Sequence, residues 1–433
     1  MTHLITPKAT DSLETWLSYL EQSHFKPIDM GLERIKSVAQ ELDLLKPAPY
    51  VITVAGTNGK GSTCKMLETA LLKAGKRVGV YSSPHLIRYN ERVRVQGQML
   101  ADQAHIDSFA FIEQNRNQSL TYFEFSTLSA LYLFKQAGLD VVILEVGLGG
   151  RLDATNIVDP DFAVITSIDI DHVEFLGDNR EDIGREKAGI FRPNIPVVIG
   201  EPDCPNSILE RADSLNCHVF RRNVDWIFEQ KSDRLYWQSS SKNLVNLPLP
   251  QIPLPNAATA LAVLTNLPFE ISDEILHESL SQAQLAGRFQ TLGPQDFVNF
   301  AQKTPLARVI IDVGHNPHAA RYLASRLAEL KAAGQKIYAV FSVLKDKDLS
   351  GIVEPLAQII DEWHCVGLDN YRGQSGEEVL TKLKIELPQA KAQRYPNIAT
   401  ATQHLFEQAG SNDIVLVFGS FYTVADFLLF LEA

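Results

Sequence analysis

Residues 51–63 read Val-Ile-Thr-Val-Ala-Gly-Thr-Asn-Gly-Lys-Gly-Ser-Thr, an apolar run that passes through a glycine-rich turn into a helical pattern reaching about Ala74. The backbone N–H groups of such a turn and the helix N-terminus together form a cradle for an anion. Lys60 adds a positive charge for the β- and γ-phosphates, and Ser62 or Thr63 supplies a hydroxyl near Mg²⁺. The stretch therefore predicts a phosphate loop between a strand and a helix.

The strict G-x-x-x-x-G-K-[ST] pattern is not met, because Val54 replaces its first glycine and Gly61 follows the lysine. The alternative interpretation is a tight strand-to-helix turn with an exposed lysine. Three glycines in six residues, with Lys60 between two of them, are more than a turn requires. Phosphate binding is the interpretation that we favour.

Short β-branched runs alternate with helical segments along the chain, which is typical of parallel α/β sheets covered on both faces. The predicted strands are 50–55, 77–82, 140–146, 161–167 and 195–200, followed by a second series at 308–313, 336–341, 362–366 and 414–418. We therefore predict an α/β fold with a P-loop NTPase-like parallel-sheet N-terminal domain and a smaller Rossmann-like α/β C-terminal domain.

A break with two glycines and a proline lies at residues 287–295, between the two series of strands. We predict an N-terminal domain at 1–287, a hinge linker at 288–297 and a C-terminal domain at 298–433. Two domains agree with the length of 433 residues, because one domain takes roughly 150 residues. The segment 217–246 is predicted to form strands or hairpins.

The composition excludes several classes of protein. A formal net charge of −12 argues against a nucleic-acid coat protein and against a basic membrane-surface protein. The 4 cysteines form no C-x-x-C pair, so neither a zinc ribbon nor a disulfide framework is expected. We expect no secretory signal, and no apolar run reaches the roughly 18 residues needed to span a bilayer. We expect a cytoplasmic protein with no nucleic-acid or membrane partner.

Glu145 ends a continuous apolar run and is followed by a glycine-rich loop that a ligand can approach. A buried carboxylate needs a partner, and a divalent cation is an efficient one. An ion pair with Arg151 fits the spacing equally well, so both interpretations stay open.

The next strand ends in Ser-Ile-Asp-Ile-Asp-His at 167–172. A helix cap formed by Asp169 or Asp171, with His172 hydrogen-bonded, is the simpler interpretation, and the preference of Mg²⁺ for oxygen weighs against His172 as a ligand. Lys187, taken alone, is predicted to be a solvated helix residue.

Several motifs stand in a fixed order: GTNGKGS at 56–62, YSSPH at 81–85, ERVRV at 91–95, EVGLGGRLDATN at 145–156, GREKAGIF at 184–191, PNAATA at 255–260, GRF at 287–289 and DVGHNPH at 312–318. Together they resemble the folylpolyglutamate synthase family, which belongs with the Mur-type ATP-dependent amide ligases. The match runs from about residue 16 to the C-terminus.

The resemblance implies a reaction in which the substrate carboxylate takes the γ-phosphate of ATP and the resulting acyl phosphate is attacked by the amine of L-glutamate. It implies that the smaller domain closes over the P-loop domain. It also implies two magnesium ions, a monovalent cation such as K⁺, and carbamylation of Lys187, which turns an amine into a metal-facing carboxylate. Carbamylation needs a neutral amine, so the pKa of Lys187 must be lowered by its surroundings.

The residue assignments that follow from the resemblance fall into four groups. Catalytic roles go to Lys60, Lys187 and His172. ATP contacts go to Thr57, Asn58, Gly59, Lys60, Asn256, Arg288 and Asp312. Magnesium ligands are Ser83, Glu145, His172 and the carbamate of Lys187. Substrate contacts go to Asp29, Met30, Thr121, Tyr122, Phe123, Glu124, Leu152, Asp153 and Ala154.

Thr-Tyr-Phe-Glu at 121–124, with Asp29 and Met30, resembles the dihydropteroate-binding segments of bifunctional bacterial members of the family. The implied substrates are dihydropteroate, reduced folates, L-glutamate and ATP, and a monomer is expected. Ordinary packing at a helix start is the alternative for Tyr122 and Phe123. For His315, phosphate or substrate orientation and capping of the helix near Pro317 are equally open.

Three other functions compete with the bifunctional ligase. They are a monofunctional folylpolyglutamate synthase, a P-loop kinase or NTPase, and a nucleotide-binding regulatory protein without turnover. Arg288 and Asp312 favour a ligase, because a simple NTPase needs neither.

Overall fold

The computed structural model describes residues 5–26, 28–297 and 307–432, and in these ranges it contains fifteen α-helices and seventeen β-strands. Contacts divide the chain into two compact units, Met1–Gln284 and Leu285–Ala433. The predicted start of the C-terminal domain at residue 298 lies outside the described residues, and the boundaries at 287 and 288–297 stay predictions. Across the described ranges, no helix combines the length and apolar character needed to cross a membrane.

The first unit contains a large mixed sheet and a small antiparallel one. The strands of the large sheet are β1 (Tyr50–Ala55), β2 (Val78–Tyr81), β3 (Val93–Val95), β4 (Gln98–Met99), β5 (Val141–Glu145), β6 (Phe162–Ile165), β7 (Pro196–Ile199) and β8 (His218–Arg221). The small sheet contains β9 (Trp226–Lys231), β10 (Arg234–Ser239) and β11 (Asn243–Pro248).

The large sheet has the strand order β4-β3-β2-β5-β1-β6-β7-β8. Six neighbouring strands of this order run parallel, namely β2, β5, β1, β6, β7 and β8. The strands β3 and β4 add an antiparallel edge next to β2. Parallel strands place their carboxyl ends at one edge of a sheet, where an open α/β fold binds its ligands. The predicted α/β class and the predicted strands of this unit are confirmed, and the short antiparallel edge is an addition to them.

The helices of the first unit are α1 (Leu13–Gln22), α2 (Glu33–Glu41), α3 (Lys60–Lys73), α4 (Asp102–Asn115), α5 (Tyr122–Ala137), α6 (Val173–Leu176), α7 (Arg180–Lys187), α8 (Asn206–Ser214), α9 (Leu254–Leu264) and α10 (Asp273–Gln282). One core joins α1, α2, α4 and α5 to the sheet around fully buried aromatic rings such as Trp16, Phe109 and Phe125. A second core covers α7 and α8 around Phe191.

The second unit is an α/β sandwich built on its own sheet. Its strands are β12 (Gln290–Thr291), β13 (Arg308–Asp312), β14 (Ile337–Phe341), β15 (Glu362–Val366), β16 (Ala392–Tyr395) and β17 (Ile414–Phe418), in the order β12-β13-β17-β14-β15-β16. Its helices are α11 (Pro317–Leu330), α12 (Leu349–Val353), α13 (Gly376–Glu386), α14 (Ile398–Gln408) and α15 (Phe421–Glu432). All pairings are parallel except that of β12 with β13.

Candidate active site

The predicted phosphate loop lies between β1 and α3. Gly59 caps α3 with φ of +87°, a backbone conformation that L side chains rarely adopt. A Cβ atom on Gly59 would lie 2.3 Å from Asn256 Oδ1, so the side chain of Asn256 packs directly against the loop backbone. The turn therefore requires glycine at this position. The absence of a side chain on Gly59 leaves the room that Asn256 occupies beside the loop.

The loop is fixed by the segment that follows β6. Thr57 donates its N–H to Ser167 O at 2.8 Å, and Asn58 donates its N–H to Ser167 Oγ at 3.0 Å. These two amides point into the protein, so the N–H groups at the start of α3 are the ones that suit an anion. No role was predicted for Ser167, although its place at the end of the predicted strand 161–167 was a usable signal.

Lys60 folds back over its own loop. Its Nζ donates to Gly56 O at 3.0 Å and to Thr57 O at 3.2 Å. The charge of Lys60 is therefore held above the turn that is predicted to bind phosphate.

Lys187 reaches the same turn from the end of α7. Its Nζ donates to Gly56 O at 3.1 Å, and the residue is only 4% exposed. Burial, reinforced by the charge of Lys60, lowers the pKa of Lys187 to about 7. The interpretation of Lys187 as a solvated helix residue is wrong, because its side chain is buried against the phosphate loop. The local sequence does not show this burial, since it depends on α7 ending against that loop.

Glu145 stands at the carboxyl end of β5 and is 4% exposed. It pairs with Val54 of β1 in the sheet, and Leu144 pairs with Tyr81 of β2 on the other side. Ser83 follows β2, so its segment leaves the same edge of the sheet. Arg151 Nη2 lies 2.8 Å from Glu186 Oε1, which gives Arg151 an ion pair with a residue of α7.

The donor set at this edge fits a magnesium ion that is bound together with a nucleotide. Among the described residues, no three His, Cys, Asp or Glu side chains gather as a metal site of their own. Mg²⁺ usually takes one or two carboxylates and completes its shell with water and substrate phosphates. Glu145, paired with the strand that leads into the phosphate loop, suits that arrangement, and Ser83 after β2 is a further oxygen donor on the chain that leaves this edge of the sheet.

The segment 167–172 leads into α6, and His172 is the N-cap residue of that helix with φ of +54° and no capping side-chain bond. Asp169 and Asp171 each accept from the amide of the residue that follows them, at 2.8 and 2.9 Å. The N-cap position of α6 is occupied by His172, so the prediction that Asp169 or Asp171 takes that position is wrong. His172 is exposed, and its role as a metal ligand stays a prediction.

In the second unit, Asp312 and Arg288 come together at the end of β13. Asp312 is 6% exposed and accepts from Phe289 N at 2.7 Å and Gly314 N at 2.6 Å. Burial raises the pKa of Asp312, and the Arg288 charge opposes this effect. The Arg288 guanidinium lies 5.4 Å from the ring centroid of Phe421.

His315 lies next to this pair. Its Nδ1 is 2.9 Å from Val313 O. The cap of α11 is Asn316, whose side chain accepts from Ala319 N at 2.9 Å. Helix capping by His315 is therefore wrong, and orientation of phosphate or substrate stays open.

The predicted substrate segments meet through Arg34, a residue that the sequence did not single out. Its Nη1 lies 2.9 Å from Asp29 Oδ2, and its Nη2 lies 3.0 Å from Glu124 Oε1. Thr121 caps α5, and the other Glu124 oxygen accepts from Thr121 N at 2.8 Å. Asp29 is thus tied to the start of α5, and Met30 next to it is partly exposed.

Aromatic rings extend from the start of α5 toward the loop after β5. A Cβ atom on Gly147 would lie 2.6 Å from Phe123 Cζ, so this ring covers the glycine. The Arg92 guanidinium lies 5.4 Å from the ring centroid of Tyr122. Both rings are partly exposed, so core packing does not use their whole surface.

The loop after β5 also carries three predicted substrate residues. Asp153 is 3% exposed, and its Oδ2 accepts from Leu148 N at 2.8 Å. Burial raises the pKa of Asp153. Leu152 is partly exposed, and Ala154 is buried at the first position of the 3-10 turn Ala154–Ile157.

Two family models match the chain. The Mur ligase middle domain matches residues 54–223, and the Mur ligase, glutamate ligase domain matches residues 287–421. The first contains the phosphate loop, Glu145 and Lys187, and the second begins at Gly287 and contains Arg288 and Asp312.

Full-length relatives extend this similarity. A dihydrofolate synthase/folylpolyglutamate synthase of Haemophilus influenzae is 60% identical, over 98% of this chain and 99% of the relative. The structure of E. coli FolC in complex with DHPP and ADP superposes with a TM-score of 0.93 at 49% identity, covering 99% of both chains. A bifunctional folylpolyglutamate synthase/dihydrofolate synthase with Mn, AMPPNP and L-glutamate bound gives 0.90 at 51% identity, covering 99% and 100%.

Proposed function

Because the chain belongs to the dihydrofolate synthase/folylpolyglutamate synthase family of Mur ligases, we propose that its phosphate loop and the buried Lys187 activate a pterin carboxylate with ATP. The protein is an ATP-dependent ligase that joins glutamate to folate compounds, and it uses a divalent metal ion. The observation that carries the proposal is the meeting of Lys60 and Lys187 at one carbonyl oxygen, Gly56 O.

The reaction needs ATP because a free carboxylate is a poor acyl donor. Transfer of the γ-phosphoryl group to a carboxylate oxygen forms a C–O–P linkage and releases ADP. The amine of L-glutamate then attacks the acyl carbon, the amide forms, and the bridging oxygen leaves with inorganic phosphate. The first substrate is dihydropteroate, and reduced folates with a free glutamate γ-carboxylate take its place in later rounds.

The protein supports the first step mainly by charge. ATP and the acid are both anions, so the site has to hold positive groups where phosphoryl charge develops. Lys60 supplies one such group, and the N–H groups at the start of α3 supply dipoles. Thr57, Asn58, Gly59 and Asn256 shape the cradle around them.

Ser83, Glu145 and His172 are proposed to hold magnesium at the same edge of the sheet. When bound, Mg²⁺ neutralises phosphate charge and polarises the phosphoryl oxygens. The buried Glu145 carboxylate and the hydroxyl of Ser83 orient it. A second ion and a monovalent cation such as K⁺ belong to the same proposal.

Lys187 is proposed to act as a carbamate. Its neutral amine takes up CO₂ and loses a proton, which leaves a carboxylate on the former cation. Burial and the nearby charge of Lys60 both favour the neutral amine that this chemistry requires. The modified side chain would then supply an anionic ligand for the metal ions.

The remaining assignments concern the nucleotide and the pterin. Arg288 and Asp312 are proposed to contact ATP, supported by their packing together in the second unit. The segments around Asp29 and Met30, 121–124 and 152–154 are proposed to bind the pterin, supported by the Arg34 bridge and the ring of Phe123. A monomer in the cytoplasm is the state that we propose for the enzyme.

The direct test combines the protein with ATP, Mg²⁺, dihydropteroate and labelled L-glutamate. We expect ADP and labelled dihydrofolate in equal amounts. ADP without labelled pterin indicates an NTPase, and a stable phosphate ester indicates a kinase. Incorporation only into folates that already carry glutamate indicates a monofunctional folylpolyglutamate synthase. Each of these three outcomes contradicts the bifunctional assignment.

A further inference from the structure

The segment 82–92 connects β2 to β3 and carries Ser83. Its conformation is fixed by the motif ERVRV at 91–95, to which the proposed function gives no role. The Glu91 carboxylate accepts from the amides of three consecutive residues at 2.6–2.7 Å, namely Leu86, Ile87 and Arg88. Glu91 therefore closes the middle of the segment into a turn.

Arg92 and Arg94 extend from the same motif to different parts of the segment. Arg92 Nε donates to His85 Nδ1 at 2.8 Å. Arg94 Nη1 donates to Ser82 Oγ at 3.1 Å and to Glu91 O at 3.2 Å. Arg94 thus binds the residue immediately before Ser83 and the residue that closes the turn.

The other side of the Arg94 guanidinium binds the helix that starts at the phosphate loop. Arg94 Nε donates to both oxygens of Glu68, at 3.1 and 3.2 Å. The Glu68 side chain is 0% exposed, and that of Arg94 is 12% exposed. Charge-assisted bonds between buried groups are strong and hold a defined geometry. One side chain therefore connects α3 to the segment of Ser83.

The negative charge of Glu68 does not by itself require an arginine at position 94. Lys65, one turn earlier on α3, already places Nζ at 3.0 Å from Glu68 Oε2. Arg94, unlike Lys65, also bonds to Ser82 and Glu91. A purely stabilising ion pair would not need those two bonds.

We propose that Arg94 is a positioning residue that, held by Glu68, sets the distance between Ser83 and the phosphate loop and thereby tunes the affinity for the metal–nucleotide complex. The inference rests on the proposed function, which makes Ser83 a magnesium ligand. Arg94 itself does not touch metal or substrate in this account.

The test compares Arg94→Gln and the conservative Arg94→Lys with the parent protein, and it uses Glu68→Gln to loosen the anchor without changing its size. Arg77→Gln is the matched control, because Arg77 lies just before β2, at the opposite end of that strand, and pairs with the partly exposed Asp140. Amide hydrogen exchange of residues 82–88 is measured on the ligand-free protein. Mn²⁺ binding in the presence of ADP is measured by electron paramagnetic resonance.

For Arg94→Gln we expect exchange in 82–88 to rise about tenfold and Mn²⁺ affinity to fall about tenfold, because the charge-assisted bonds to Glu68 at one end and to Ser82 and Glu91 at the other are lost. Exchange in β1 and β5 stays at the parental rate, and KM for dihydropteroate is unchanged. In Glu68→Gln, exchange in 82–88 and Mn²⁺ affinity change in the same directions but by smaller factors. The changes in Arg94→Lys are smaller again than those in Glu68→Gln. Both quantities stay parental in Arg77→Gln.

Two results overturn the inference. In the first, exchange in 82–88 and Mn²⁺ affinity are both parental in Arg94→Gln. In the second, exchange rises equally throughout the first unit, which indicates a loss of stability only. Ser83→Ala separates this inference from the function. If that variant binds Mn²⁺ normally, the assignment of Ser83 as a ligand fails, while the exchange result still decides whether Arg94 orders the segment.

Discussion

Lys60 and Lys187 donate hydrogen bonds to the same acceptor, Gly56 O, at 3.0 and 3.1 Å, so their amine nitrogens lie within about 6 Å of each other. Two positive charges at that distance repel, and the more buried group is the one that becomes neutral. Lys187 is that group, since it is 4% exposed. In the proposed function the two lysines have separate tasks: Lys60 faces the phosphates, and Lys187, whose pKa is lowered by burial, supplies the amine that takes up CO₂.

Lys60→Ala is expected to lower kcat by about 10³ or more, because a charge aimed at developing phosphoryl charge is lost. Lys73→Ala is the matched control, since Lys73 lies on the last turn of the same helix and pairs with Glu278. Steady-state kinetics of both variants, with thermal unfolding as the check on folding, measure the effect. A near-parental kcat in Lys60→Ala would remove the loop lysine from the mechanism.

Lys187→Ala is expected to be inactive and to regain part of its activity when formate or acetate is added, because a small carboxylate can replace the carbamate. Lys60→Ala serves as the control and should gain nothing from the same salts. Native mass spectrometry of the parent should show an added mass of about one CO₂ that acid removes. An active enzyme with an unmodified Lys187 amine in both native mass spectra and electron density would contradict the carbamate.

Gly59→Ala is expected to weaken ATP binding and to destabilise the protein more than Gly75→Ala does. Both glycines have positive φ, +87° and +76°, but only Gly59 lacks room, because Asn256 Oδ1 would lie 2.3 Å from its Cβ while nothing lies within 4 Å at Gly75. Backbone strain alone costs about 1 kcal/mol at each site. Calorimetric ATP titration and urea unfolding separate the two effects, and equal behaviour of the two variants would show that the contact with Asn256 is unimportant.

The second unit should lose stability in mild acid through His364, which is fully buried on β15. Burial lowers the pKa of His364 from 6.5 to about 4, with Glu362 opposing the shift and His404 adding to it. The unfolded chain therefore takes up the proton near pH 6.5, before the folded protein does. The free energy of unfolding should fall by about 1–3 kcal/mol between pH 6.5 and 4 on this account and level off below that range.

Urea unfolding at a series of pH values measures this effect, and His364→Gln should flatten the slope. His218→Gln replaces an exposed histidine and should leave the slope unchanged. If His364→Gln keeps the parental pH dependence, a different group is responsible for the acid sensitivity.

The central strands of the two larger sheets were predicted well because each is a mostly apolar run that can be recognised locally in the sequence. The buried runs of β1, β15 and β17 begin and end at the predicted residues, and the helix after the phosphate loop ends one residue before the predicted position. The edge strands β3 and β4 were not predicted, because runs of two or three residues become strands only by pairing with a neighbour.

The candidate site was predictable where a motif carries it and not where distant residues meet. From the sequence alone, Lys60 could be placed in the turn before a helix and Glu145 at a strand end. The burial of Lys187, the contact of Asn256 with Gly59 and the bridges made by Arg34 and Arg94 depend on packing between segments far apart in the chain. No local pattern encodes such contacts, so the contacts themselves are visible only in the folded structure.

The most direct test of the central claim follows oxygen from the substrate acid to phosphate. Dihydropteroate labelled with ¹⁸O in its carboxylate is converted with ATP and L-glutamate, and the released inorganic phosphate is analysed by mass spectrometry. Activation through an acyl phosphate predicts one ¹⁸O atom in phosphate for each amide formed. Formation of the amide with unlabelled phosphate would contradict activation of the carboxylate by phosphoryl transfer.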